Sequence, residues 1–563
     1  MRRVSGFVYM LGAALLTTPA CVGNVVESEQ RLGTELPGSD AGAFSGQLDG
    51  GGFLGVDATM GLPFTPGNPV DSGSLPQPVD DGSVPVDGAD ADTLQPGTQN
   101  PCGTGSEPLA TDLRVREISL YQTVKVALYK NNAWVSARNA SIVQGKKSLV
   151  RVFVEPLTGY VSRNLRGVLT LDNAGQKTAL EAGKIITAAS TDEATNSTFD
   201  FVVDGAAISS ATQLSVAITE PVCPTQRATG TGARFPATGG QALDAGRIGK
   251  LRVVMVPVTL GGRTPDVTAT QLAKMRDALL AYYPVAEVEV TAREPISWTS
   301  AIAADGNGWS TLLNQIGRQR QADKAAKDVY YFGLITPAAT FRDYCRTSCV
   351  LGLAPQTTFV SSPDQIGLGV GFVEDNTYST VVHELGHAHG LPHAPCVPAG
   401  GSIQNADPKY PYAGGKTGSW GWDSRTSKLL PPTGFVDMMS YCDPAWISDY
   451  NYEKLATRAR SVNTAASIVT FDKGAAPSWE RLIWSANGQA SWAGVTSHET
   501  PGDFTSAYAL DATGQQVAEL SVAVISLSHT ADTFVYVPRL DPSWAALQIG
   551  KRRLVVADIA PAR

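Results

Sequence analysis

Histidine is scarce in this chain, with six in 563 residues, and positive charge is in deficit: 44 Lys and Arg face 52 Asp and Glu, a formal net charge of -8. No long segment clusters Lys and Arg, as phosphate neutralisation requires, so a nucleic-acid binder is excluded. The N-terminal apolar stretch, Val8 to Leu16, is too short to span a bilayer. From residue 22 to 108 there is no Lys and a single Arg amid Gly, Asp, Pro, Ser and Thr. Such a segment cannot bury enough apolar surface to offset its ordering entropy and reads as a disordered acidic linker. Its negative charge exceeds that of the whole chain, so the remainder is near neutral or slightly positive.

What is present is an ordinary globular mix, 43% hydrophobic and 17% charged, in a chain long enough for about three or four domains. Residues 1–21 read as a signal peptide, with Arg2 and Arg3 before the apolar stretch and Thr18-Pro19-Ala20-Cys21 as a small-residue cleavage site. A Cys directly after the cut resembles the bacterial lipobox, although Thr18 stands where that pattern prefers Leu. The expectation is export, either secreted or held at the cell surface or outer membrane through a lipid on Cys21. Without Cys21 the chain keeps six cysteines, at 102, 223, 345, 349, 396 and 442. An even number in an exported chain favours disulfides.

Short apolar alternations between Leu113 and Val222, such as Val124, Val126 and Leu128 around Lys125 and Ala127, predict an immunoglobulin-like β-sandwich over residues 109–225. Cys102 and Cys223 bracket it and can staple its ends. From Ile248 the period changes. Leu251–Val258, Val288–Val290 and Val329–Ile335 read as strands. Thr270–Tyr283 and the stretch carrying Trp309, Leu312, Leu313 and Ile316 read as helices, giving an α/β region. Beyond Ala465 alternation returns, as in Glu519–Leu527 and Phe534–Pro538, and predicts a C-terminal β-sandwich over 466–563.

Thr377–Ala394 carries the chemistry. His383 and His387 are four apart and project from one helix face, close enough to share an ion. Gly390 can adopt a left-handed conformation that ends the helix, and Leu391-Pro392 then returns His393 to the same point. Three imidazoles leave the fourth position of a zinc ion to water, the mark of a catalytic site. Glu384 lies about 100° round the helix from His383, beside the ion, as a general base for that water. With six histidines available, chance gives this pattern on the order of once in 10⁵. Cys396 follows His393 by three residues and Cys442 follows Met439 by three, which favours their pairing.

The pattern HExxHxxGxxH resembles the metzincin clan of zinc metallopeptidases, and Asp437-Met438-Met439-Ser440-Tyr441 resembles the clan's methionine turn. The resemblance covers Ile248 to Ala465. It implies a metallopeptidase catalytic domain over 248–465 and Met439 as the residue beneath the metal. It also implies Tyr441 as a phenol that swings on and off the zinc to stabilise the tetrahedral intermediate. The fold expected is therefore multidomain, with an α/β (α+β) metzincin-like catalytic domain flanked by β-sandwich domains. Ala394 after the third histidine matches neither the Glu of astacins, the Ser of matrixins nor the Asp of adamalysins and snapalysins. The tethered layout with β-domains resembles large bacterial surface metzincins, including the mucin-cleaving kind. A protein or glycoprotein substrate is then implied, laid along an edge strand for which Val350–Leu353 and Gly367–Phe372 are the candidates.

The remaining signals have plainer readings. His389 points off the ligand face and reads as a packing residue; His498 and His529 stand alone in β-rich sequence and read as surface or packing residues. Asp407 and Asp423 can hold calcium, or can belong to a rigid loop. Pro101-Cys102-Gly103 resembles the cysteine switch of matrixin proenzymes, but a disulfide accounts for Cys102 more simply. The rival from another class is a surface adhesin or glycan-binding lipoprotein with a structural metal, which chelation distinguishes.

Overall fold

The computed structural model describes residues 84–85, 107–221, 231–346, 348–357, 363–398, 401–467, 478–497 and 503–559. The expected signal peptide, Cys21, nearly all of the linker, Cys102, Cys223 and His498 lie outside the described residues. Within them the chain is a strand-rich α+β assembly of several sheets with few helices. No helix among the described residues is long and apolar enough to cross a membrane.

The alternation predicted after Leu113 forms two sheets. Leu113–Gln122, Val124–Lys130, Ser148–Pro156 and Thr198–Val203 pair in one; Arg163–Asn173, Gln176–Ile186 and Thr212–Thr219 pair in the other. Val124, Val126 and Leu128 point into the core while Lys125 and Ala127 do not, as period-two patterning requires. The first sheet continues beyond this region. Gly421–Asp423 joins through Gly421 opposite Val124, and Lys428–Leu430 follows it, so a sheet begun at residue 113 is completed by chain from beside the metal motif. Trp446 donates its indole N–H to the Thr123 carbonyl at 3.0 Å across the same junction. Buried Lys146 gives its ammonium to the Leu280, Tyr283 and Val285 carbonyls, tying the first sheet to the end of helix Ala269–Tyr282.

The central sheet runs in the order Glu287–Ala292, Lys250–Leu260, Val329–Ile335, Ile366–Val370 and Gly352–Leu353. The first four are parallel and the last is an antiparallel edge strand. Val329–Ile335 is buried along its whole length, as expected of a parallel strand covered on both faces. Tyr330, Phe332 and Leu334 pack toward helix Ala269–Tyr282 and the motif helix Asp375–Ala388. Tyr331 and Ile335 pack on the other side with Leu312, Leu313 and Ile316 of helix Trp309–Ala322.

The strands of the C-terminal region, expected as a sandwich, join in one seven-stranded sheet. Both of its faces are apolar. Ile483, Ile525, Phe534 and Tyr536 share a core with helix Trp309–Ala322 and the central sheet, while Leu482, Trp484, Val522, Val535 and Val537 make a separate core. A buried polar knot reinforces the first junction: Arg481 donates to Asp364 at 2.9 Å and to Asn314 at 3.0 Å, and the Tyr536 hydroxyl donates to Asp364 at 2.7 Å. The C-terminal sheet is thus fused to the region that carries the metal motif.

Candidate metal centre

The motif helix starts at Asp375 and runs to Ala388, with His389 as its C-cap and Gly390 at φ 89° directly after it. That left-handed turn lets the Leu391 N–H reach the Gly386 carbonyl at 3.0 Å. His393 is then pinned on both sides, its N–H donating to Asn405 and its carbonyl accepting from Asp407. The result is convergence: His387 Nε2 lies 3.0 Å from His383 Nε2 and 3.0 Å from His393 Nε2.

Every one of these rings is oriented from behind by a carbonyl. Nδ1 of His383 donates to Met438 O at 2.7 Å, Nδ1 of His387 to Leu391 O at 2.7 Å and Nδ1 of His393 to Gln404 O at 2.6 Å. A carbonyl only accepts, so each Nδ1 carries the proton and each Nε2 presents a lone pair. Burial also keeps the rings neutral, holding His383 down to about 4 and His387 and His393 well below the ordinary histidine range. Three lone pairs aimed at one another at this spacing repel unless a cation lies among them. Zinc bonds of about 2.0–2.1 Å in tetrahedral geometry need donors about 3.4 Å apart, close to what is found. The donor set therefore fits a divalent ion of zinc's chemistry.

Glu384 is 1% exposed. The Ser528 hydroxyl donates to its Oε2 at 3.0 Å, and Oε1 lies 2.8 Å from His529 Nε2, an ion-pair distance poorly aligned for a hydrogen bond. Gly352 of the edge strand crosses directly over the carboxylate; a Cβ at that position would fall 2.4 Å from Glu384 Cγ. Below the helix, the Met439 sulfur occupies the space left open by Gly386. The turn that carries it is fixed by buried Asp437, which accepts from the Met439 N–H at 2.8 Å, the Ser448 N–H at 2.8 Å and the Asn451 amide at 2.9 Å.

Cys396 and Cys442 form a disulfide, joining the loop after His393 to the turn after Met439, and Cys345 pairs with Cys349 ahead of the edge strand. These bonds are consistent with an extracellular or secreted protein. The Tyr441 ring lies 4.7 Å from that of His393, and its phenol, pushed up by burial, contacts His529 Nδ1 at 2.8 Å. His389 bonds to Leu385 O and stacks on Tyr330 at 4.4 Å, a packing role. Of the two edge-strand candidates, Gly352–Leu353 lies at the sheet's edge and Ile366–Val370 lies inside it.

One reading of the sequence changes. His529, taken for a surface or packing residue, belongs to the site: with His383, His387 and His393 it forms a group whose potential ligand atoms all lie within 4.8 Å of one another. Nothing in its local sequence announces this, because a turn of the C-terminal sheet delivers it. Of the two readings open for Asp407 and Asp423, ion pairs with Lys454 at 2.7 Å and Arg425 at 2.8 Å agree with the rigid loop, and calcium is not shown.

Residues 365–444, which carry the three histidines, Glu384 and Met439, match the profile of the Peptidase M66 family. No curated protein matches the chain. The family match and the histidine cluster together support a zinc metallopeptidase.

Proposed function

We propose that this chain is an endopeptidase of the metzincin clan that hydrolyses extracellular proteins or glycoproteins with zinc held by His383, His387 and His393. The observation that carries the reading is the convergence of three proton-free Nε2 atoms beside a buried carboxylate. A zinc ion bound there supplies Lewis acidity for water activation and for polarising the scissile carbonyl. Glu384 takes the proton from the attacking water and delivers it to the leaving amine. The Tyr441 phenol donates to the oxygen on which charge develops. Met439 packs against the helix beneath the three rings and keeps them in register. Residues 109–225 and 466–563 act as flanking β modules around the catalytic region 248–465. The first 21 residues direct export, and a lipid on Cys21 anchors the chain through the linker 22–108.

The test is a cleavage-site profile on a proteome-derived library that includes O-glycosylated proteins, with Glu384→Ala as control. Cuts made by the wild type, abolished by chelation, restored by zinc and absent from Glu384→Ala are the expected outcome. Cuts that persist in Glu384→Ala remove Glu384 from the mechanism. Cuts confined to glycosylated stretches assign a mucinase-like substrate class.

A further inference from the structure

We infer that His529, delivered by the C-terminal sheet, is a fourth protein donor that caps the metal position and holds the site in a self-occluded state; this rests on the peptidase reading above. The water that Glu384 is to deprotonate has two positional requirements. It must lie within hydrogen-bond reach of the carboxylate and within ligand reach of the three histidine nitrogens. His529 meets the first, its Nε2 standing 2.8 Å from Glu384 Oε1, and approaches the second: its ring nitrogen lies within 4.8 Å of the other three histidine donors, so a small shift of the ring brings it to the spacing of about 3.4 Å between tetrahedral zinc ligands. It occupies the place that water needs, and the Tyr441 hydroxyl on its other nitrogen orients the ring.

A second, independent observation concerns the segment that carries it. Ser526, Leu527 and Ser528 lie antiparallel along the chain that continues the edge strand. The Gln356 N–H donates to Ser526 O at 2.9 Å, Pro355 bridges Leu527, and Ser528 and Ala354 exchange two bonds of 2.9 Å. Outward-facing groups of an edge strand are what an extended peptide uses when it adds to a sheet. Here the chain's own segment uses them. The Ser528 hydroxyl meanwhile engages Glu384, so one turn holds the edge, the base and the metal position at once. Burial agrees: Glu384 and His383 are each 1% exposed, and His387 and His393 are fully buried. Ile525 and Leu527 seat the segment in the core shared with Leu353, Ile366 and Leu368, which makes the capped arrangement the resting one. A substrate strand competes with Ser526–Ser528 for Ala354 and Gln356, and its engagement withdraws the cap.

Cobalt(II) loaded into the full-length chain reports donor number through its visible bands, and acetohydroxamate probes for an open coordination position. Wild type is expected to show bands that respond weakly to the probe. In His529→Ala the bands shift and the probe binds about tenfold more tightly or better, the factor set by a cap closed in at least nine molecules of ten. Peptide turnover rises by a similar factor. His529→Asn, a smaller and poorer donor, repeats the result should the alanine variant unfold, and thermal melts identify that case. Identical spectra and equal probe affinity in wild type and folded variants overturn the cap, as does loss of turnover in a folded His529→Ala. The peptidase reading fails separately: if the spectra behave as expected but neither wild type nor His529→Ala cuts any peptide, the fourth donor stands and the hydrolytic assignment falls.

Discussion

Gly352→Ala displaces Glu384, the proposed general base, without touching any of the three clustered histidines. The added Cβ would fall 2.4 Å from Glu384 Cγ, 2.5 Å from Oε1 and 2.7 Å from Cδ, whereas ordinary van der Waals contact begins at 3.4 Å. Relief of the clash requires about 1 Å of movement. Glu384 cannot swing into solvent, being 1% exposed with Ser528 on one oxygen and His529 at the other. The edge strand cannot retreat freely either, paired as it is with Ile366–Val370 on one side. Overpacking of this kind costs about 1–3 kcal/mol of stability. A 1 Å misplacement of a catalytic group costs about 10²-fold in turnover. Zinc content should stay at the wild-type value, because His383, His387 and His393 are not contacted. The assay is kcat on a peptide substrate, with metal content and an unfolding midpoint on the same preparation. Turnover within about twofold of wild type in a folded, zinc-loaded Gly352→Ala refutes the placement of Glu384 under the edge strand.

Two further outcomes follow from the packing. Cys396→Ala with Cys442→Ala opens a loop spanning 46 residues between the segment after His393 and the segment after Met439; it should lower stability by about 3 kcal/mol and weaken zinc retention against a chelator, and an unchanged denaturation midpoint contradicts this. Lys146 is fully buried and its ammonium is held down to about 7 from an ordinary 10.5, so between those values the unfolded chain binds more protons than the folded one. Its contribution is complete above 10.5 and is lost as pH falls through 7, so stability should climb from pH 7 to 9 by up to about 1.4 kcal/mol per unit. Lys146→Met should flatten that slope in denaturant titrations, and equal slopes in the two proteins refute the assignment.

The cluster of His383, His387 and His393 was legible because it is local. A four-residue spacing on a helix and a glycine that ends it fix where three imidazoles point, and the convergence of Nε2 atoms at 3.0 Å follows from that geometry. The Cys396–Cys442 bond was legible because each cysteine keeps the same offset from a motif element. Nonlocal pairing was not. Gly421–Asp423 and Lys428–Leu430 are three-residue strands, too short to show alternation, yet they extend a sheet that begins at Leu113. In the C-terminal sheet Leu482 and Ile483 face different cores, a division that alternation alone does not assign to particular neighbours. His529 is the extreme case. Its neighbour Ser528 meets Glu384 across 144 residues, and no spacing rule spans that distance.

The central claim is that His383, His387 and His393 share one divalent ion. Zinc per chain, measured by mass spectrometry after exhaustive dialysis of wild type and His387→Ala, tests it most directly. One zinc in the wild type, and a folded His387→Ala that gives up its zinc to dialysis far more readily, is the result predicted. A wild type that holds no zinc after reconstitution, or a His387→Ala that holds it as tightly, contradicts the account.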